Sequence, residues 1–294
     1  MPQWDAEIVV DAPLAAALVA EQFPELADEP VIALGAGWDY TAYRVGPRWV
    51  FRFPRREVVL PGMAREIATL PRIAALLPVA VPAARFVGSG GEAFPWPFFG
   101  APFVPGLEPA DAGLDDEARA GLARPLARFL RALHGAEVLA VAGEVLPDDP
   151  IGRGDMAKRV PWARAALAEV GVEAEAVLTV AQRLERPAPT AVCHGDLQVR
   201  QILVADRTLS GVIDWVDVCR GEPAIDLSLF WSLVPPDARD AFLDEYGAVT
   251  EESLLRARVL ALGLNATLAH YAQATGMPAL EREARAGVRR AASP

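Results

Sequence analysis

Two short apolar runs, Ala191-Val192-Cys193 and Ile202-Leu203-Val204, enclose a polar stretch that begins His194-Gly195-Asp196-Leu197, and a third run, Val212-Ile213-Asp214-Trp215, follows closely. This alternation constrains the fold more than any other part of the chain. The first run delivers His194, Gly195 and Asp196 to a turn, and the second carries the chain back into the core. A carboxylate beside such runs is costly to desolvate unless something uses its charge. Taken alone, His-Gly-Asp also reads as a hairpin turn with a solvated Asp. Asp214 resists that reading, because it is embedded in an apolar run where a solvated turn residue would not sit.

Sites of the kinase type place an Asp on a loop, a metal-binding amide five residues later and a second metal-binding Asp on the next hairpin. The corresponding positions here are Asp196, Gln201 and Asp214. Downstream lies Gly221-Glu222-Pro223-Ala224-Ile225-Asp226-Leu227. The set resembles the aminoglycoside and macrolide phosphotransferase family, small-molecule relatives of the protein kinases. Its members carry His-Gly-Asp-Leu, a metal-binding residue, Ile-Asp-Trp or similar, and then Gly/Asp-x-Pro-Ala-x-Asp-Leu. The likeness covers most of the chain.

The pattern along the chain has the same outline. Asp11-Ala12-Pro13 opens a short helical segment, and three β segments follow at Val31-Ile32-Ala33-Leu34, Tyr40 to Val45 and Trp49 to Phe53. Further strands are expected at Val79-Ala80-Val81-Pro82, Arg85 to Gly88 and Phe98 to Gly106, the last of which would also be a Pro/Gly-rich hinge. Beyond Gly106 helical spacing takes over, with Leu122, Leu126, Phe129 and Leu133 on one face. Helices are also expected from Met156 to Val170, from Glu173 to Leu184 and from about Ile225 onward. A strand-rich first third and a helix-rich remainder predict an α+β, bilobal protein-kinase-like fold with a cleft between the lobes. A small antiparallel N-lobe would span residues 1–104, and a helical C-lobe with the catalytic loop and acceptor site would span 105–294.

Alternation on the third strand puts Val50 and Arg52 on one side and Phe51 and Phe53 on the other. Arg52 then stands where the phosphate-binding Lys of kinases would stand. The resemblance supports this, since macrolide-type members often read Trp-Val-Leu-Arg-x-Pro-Arg where this chain reads Trp49-Val50-Phe51-Arg52-Phe53-Pro54-Arg55. Lys158 is the sole lysine, so no Gly-x-x-x-x-Gly-Lys-Ser/Thr phosphate loop exists. Glu66, expected early in a helix beginning near Ala64, would pair with Arg52, although Glu in a first helical turn is also favoured by the helix dipole.

The resemblance implies a role for each residue. Asp196 would accept or orient the proton of an attacking hydroxyl, and Asp214 with Gln201 would hold Mg2+. Arg52 would bind the phosphates of ATP or GTP, with Glu66 orienting it. Backbone N–H groups around Gly35 and Gly37 would cover the phosphates, and the hinge at Phe99, Ala101 and Phe103 would receive the base. Asp226, at the start of a helix, would brace the loop backbone, and His194 would pack beneath it. Gln201 departs from the family, which most often has Asn there and in macrolide-type members has His. Its amide oxygen still ligates, but the extra methylene leaves slow turnover, a need for Mn2+, or loss of activity as open consequences.

A net charge of -11 argues against nucleic acid and suits a cationic acceptor, for which Glu222, Asp237, Asp240, Asp244, Glu245, Glu251 and Glu252 supply negative charge. Many cytosolic proteins are equally acidic for solubility alone. Neither a signal core nor a membrane span is expected, and Cys193 and Cys219 make no disulfide framework, so a soluble, cytoplasmic protein is predicted. The expected activity is O-phosphorylation of an aminoglycoside-like, macrolide-like or other small hydroxyl acceptor. The alternatives are a metabolite kinase unrelated to antibiotic resistance and a nucleotide-binding pseudokinase with a regulatory or scaffolding role.

Overall fold

The Asp11 carboxylate accepts the Leu14 amide at 2.9 Å and Pro13 pre-sets the first turn, so helix α1 (Ala12–Gln22) starts at a satisfied cap. In the computed structural model, which describes residues 6–293, the chain divides into two compact units. One comprises Met1–Ala74 with Val81–Val104, and the other comprises Ala75–Ala80 with Pro105–Pro294.

The first unit is built on five antiparallel strands, β1 (Val31–Ala36), β2 (Tyr40–Val45), β3 (Trp49–Pro54), β4 (Phe86–Gly88) and β5 (Phe98–Pro102), in the order β1-β2-β3-β5-β4. Phe51 and Phe53 are fully buried on one face of β3, while Val50 and Arg52 stand half-buried on the other. The buried face meets Phe94, Phe98 and α1, and the Phe53 and Phe98 rings stack at 4.8 Å. Each such ring contributes about 1.5–3 kcal/mol by leaving water. Gly100 lies opposite Phe51, where a Cβ would come within 2.5 Å of the ring, so only glycine lets β5 approach.

Helix α2 (Leu60–Ile73) begins four residues before the expected start at Ala64, because Pro61 serves its first turn, and it runs through Pro71 to Ile73. Glu66 is therefore mid-helix rather than in a first turn. The strand expected at Val79 to Pro82 is absent; only Ala80 forms a bridge, to Gly211, within the second unit.

The second unit is mostly helical: α3 (Asp116–Leu133), α4 (Ala136–Ala142), α5 (Met156–Glu169), α6 (Glu175–Ala181), α7 (Ser228–Ser232), α8 (Arg239–Tyr246), α9 (Glu251–Thr275) and α10 (Pro278–Ala292). Its helical core gathers Met156, Val160, Leu167, Val259, Leu262 and Val288, and Gly263 lets α9 lie directly against the Trp162 ring. A buried ion pair joins Arg119 of α3 to Glu283 of α10 through two hydrogen bonds. Two small antiparallel pairs complete the unit. Strand β6 (Ala191–Cys193) pairs with β9 (Cys219–Gly221), and β7 (Ile202–Ala205) pairs with β8 (Thr208–Val212). The two runs flanking His194-Gly195-Asp196 thus belong to different sheets, and the stretch between them is not a hairpin turn. The fold is α+β, and among the described residues no helix is long and apolar enough to cross a membrane.

Candidate functional site

The loop after β6 is fixed by one buried carboxylate. Asp226 accepts the backbone N–H of His194 at 2.6 Å and of Gly195 at 3.0 Å, and His134 Nε2, at the end of α3, lies 3.2 Å from the same carboxylate. Burial opposes ionisation, but the hydrogen bond from His134 and the neighbouring donors outweigh it and hold Asp226 below the ordinary carboxylate range. Asp226 does not cap α7, whose N-cap is Leu227; its oxygens are spent on the loop instead. The residue before the acid is equally constrained. Gly195 has φ +91°, and a Cβ there would sit 2.2 Å from the Asp217 carbonyl oxygen.

His194 is fully buried. Its Nδ1 accepts the Asp196 amide at 3.3 Å, which leaves Nε2 to donate to the Ile213 carbonyl at 3.0 Å. The ring thereby ties the loop to the segment that carries Asp214. A second tie runs from the Ile213 N–H to the Gln201 carbonyl at 2.8 Å, and Ser228 Oγ donates to Leu197 O at 2.8 Å. Asp214 itself occupies a left-handed backbone conformation, φ +66°, uncommon for a residue other than glycine and a mark of functional sites.

Asp196 is engaged by Arg153, whose Nη1 lies 2.7 Å from Asp196 Oδ1 and whose Nη2 bonds Asp217 Oδ2. Burial drives the Asp196 carboxyl up to about 6; Arg153 pulls it down, and Asp217 and Asp214 add to the rise. Burial also disfavours the Arg153 charge, yet Asp196 and Asp217 hold the guanidinium more firmly protonated than usual. Neither Arg153 nor Asp217 is singled out by the motif, and nor is Asp149, whose carboxylate accepts the N–H groups of Arg153 at 2.6 Å and Gly154 at 2.9 Å. The available signal was Gly152-Arg153-Gly154, a charged side chain flanked by glycines in a helix-rich region. His134 Nδ1, on the other edge of the ring, meets Tyr246 Oη at 2.7 Å.

Gln201 Oε1 is buried and has no hydrogen-bond donor among the described residues. An orphaned amide oxygen of this kind is costly unless a cation or donor meets it. With the Asp214 carboxylate it makes an oxygen-only donor set suited to a hard divalent cation, so the residues present fit Mg2+.

In the first unit, Arg52 Nη1 lies 3.1 Å from Oε1 of the fully buried Glu66, and its guanidinium sits 5.8 Å from the centroids of both the Tyr40 and Phe99 rings. Gly35 lies within β1, opposite Ala42, and Gly37 lies in the β1–β2 connection, but the Gly37 N–H donates to the Tyr40 carbonyl at 2.9 Å and is not free to cover a phosphate. Phe99 and Ala101 are buried inside β5, and the Phe103 N–H donates to Arg48 O at 2.7 Å, so that amide is not free for a base. Several of the acids proposed for a cationic acceptor are already engaged. Arg128 and Arg131 hold Glu245, and Glu222 accepts from the Ala224 N–H and Ser253 Oγ. Cys193 and Cys219 are buried free thiols, pushed well up by desolvation, Cys219 to about 12.

A model of the phosphotransferase enzyme family matches residues 30–261. Among solved structures, the GDP and kanamycin complex of APH(2")-IIia is similar at a TM-score of 0.67 and 19% identity, over 94% of this chain and 97% of that one. The macrolide 2'-phosphotransferase MphH from Brachybacterium faecium, an apoenzyme, gives 0.62 and 25%, over 93% and 97%. The streptomycin-ATP ternary complex of APH(2")-IIa gives 0.60 and 16%, over 88% of each chain. No curated protein sequence matches the chain significantly.

Proposed function

The chain belongs to the phosphotransferase enzyme family, and we propose that it moves the γ-phosphate of ATP or GTP to a hydroxyl of an aminoglycoside-like, macrolide-like or other small acceptor. The observation that carries this reading is the loop pinned by Asp226, which presents a half-buried acid, Asp196, and an orphaned oxygen, Gln201 Oε1, on one short segment. Nucleotide and antibiotic in the structures of similar proteins add support.

Phosphoryl transfer needs positioning and charge neutralisation more than a strong base. Asp196, with a carboxyl near 6, is ionised at neutral pH and takes or orients the proton of the acceptor hydroxyl. Arg52, held by Glu66, binds the nucleotide phosphates. Gln201 and Asp214 hold Mg2+, which when bound neutralises charge on the phosphate oxygens. The hinge after β5 takes the base by packing. Gln201 in place of a shorter amide makes slow turnover, a need for Mn2+ or loss of activity the outcomes to distinguish, because Mg2+ tolerates little misplacement of its ligands. The acidic balance of the chain suits a cationic acceptor, and the protein works in the cytoplasm.

Nucleotide turnover measured with ATP and GTP, with Mg2+ and Mn2+, across aminoglycosides, macrolides and small alcohols such as choline tests the proposal. At least one acceptor is expected to stimulate turnover, and Asp196→Asn to abolish the stimulation. Nucleotide that raises the melting temperature while no acceptor lifts turnover above the Asp196→Asn level would overturn it.

A further inference from the structure

We propose that Arg153 is a positioning residue for phosphoryl transfer: its guanidinium, held between the carboxylates of Asp196 and Asp217, fixes Asp196 and leaves one oxygen of Asp196 to meet the acceptor hydroxyl. The inference rests on the reading of Asp196 as the base. It comes from a group that no motif assigns, in a segment far from the catalytic loop in sequence.

Three features make this contact a built one. Arg153 holds Asp196 Oδ1 and Asp217 Oδ2 with different terminal nitrogens, a forked arrangement that fixes direction as well as charge. The backbone of Arg153 is itself held, because Asp149 accepts its N–H and that of Gly154, and the Asp149 N–H bonds Arg220 O of β9 at 2.7 Å. Asp217 also lies against the loop, since its carbonyl passes so near Gly195, the residue before the acid, that a Cβ there would come within 2.2 Å of it. The clamp therefore spans the segment before α5, the loop after β6 and the β8–β9 connection, and returns to the loop where it began. With Oδ1 occupied, Oδ2 remains as the acceptor's partner.

The charges facing Asp196 are Arg153 and, farther off, Arg159 of α5 on one side, with His194 in its own loop and Asp214 and Asp217 in the β8–β9 connection on the other. Arg153 is the cation in direct contact. Without it, burial, Asp217 and Asp214 act on Asp196 with the closest opposing cation removed. The carboxylate is then protonated over more of the neutral range and free to rotate.

Carboxyl 13C NMR titration of the full chain, free of nucleotide and with the Asp196 signal assigned by its loss in Asp196→Asn, tests the clamp without any acceptor. Arg153→Met is expected to raise the Asp196 midpoint by about one unit or more, and Arg153→Lys to restore most of the difference. In parallel, water-directed GTP and ATP hydrolysis with Mg2+ or Mn2+ should lose about tenfold or more in kcat in Arg153→Met, with KM little changed and the loss partly recovered at higher pH. An unmoved midpoint in both variants overturns the inference, whatever the turnover. A moved midpoint with wild-type turnover in both Arg153→Met and Asp196→Asn overturns the reading of Asp196 as base instead. Arg153→Lys, which keeps the charge, makes the comparison available should the methionine variant fold poorly.

Discussion

The acid at the centre of the site stands in a state that folding opposes. Burial raises the Asp196 carboxyl from 3.8 to about 6, so the native chain binds a proton between those values that the unfolded chain releases. Stability attributable to this group therefore falls as pH rises from about 4 to about 6 and is flat above. The cost at neutral pH is at most about 3 kcal/mol, at 1.36 kcal/mol per unit. Asp196→Asn removes the charge, while Arg153 keeps Asp217. The variant is expected to be inactive yet more stable than wild type at pH 7.5 by about 1–3 kcal/mol in urea unfolding, with the gain shrinking toward pH 5. Equal stability at both pH values would contradict the assignment of the raised carboxyl to this residue. Asp226 has the opposite sign: it contributes stability that is present above the unfolded value and lost only as acid protonates it.

At the scale of elements, the loop works because β6 and β9 pair while the glycine between strand and acid gives way to a neighbouring backbone. Gly195→Ala adds a Cβ 2.2 Å from the Asp217 carbonyl at a φ of +91°. Both strain and displacement follow, with an expected loss of about 2–4 kcal/mol in urea unfolding and a fall in turnover beyond that caused by reduced stability. A near-neutral substitution would show that the close approach is not needed. The same elements show what sequence makes legible. Asp196, Gln201, Asp214 and Asp226 fall in one contiguous stretch with fixed spacing, and the alternation of β3 is written in Val50 to Phe53, so these placements follow from local pattern. Arg153, Asp217 and His134 have no such pattern. Their partners lie many residues away, and a lone arginine or histidine carries no mark of which carboxylate it will meet. Glu66 fell in the wrong turn because Pro61 starts α2 sooner than the apolar periodicity does. The hinge amide of Phe103 is spent on Arg48 for a reason equally hidden from composition.

For the molecule as a whole, the chain passes from one compact unit to the other at Ala74, returns at Val81, and leaves again after Val104. The excursion is held at Ala80, which donates to Ser210 O at 3.3 Å and accepts the Val212 N–H at 3.0 Å, two residues before Asp214. A fragment of residues 105–294 loses both bonds. It is expected to be less stable than the same fragment preceded by residues 75–80 on a Gly/Ser linker, by about 1–3 kcal/mol in urea unfolding. Equal stability would show that the bridge contributes nothing to the second unit. The bridge has a further consequence for descent. A genetic crossover near residue 104 that replaces the first unit also replaces the residue seated on the edge of β8, so a foreign first unit brings a foreign edge to the strand that leads into Asp214. Such a crossover cuts through the second unit itself, because Ala80 and the β8 edge it seats on lie on opposite sides of the break in sequence.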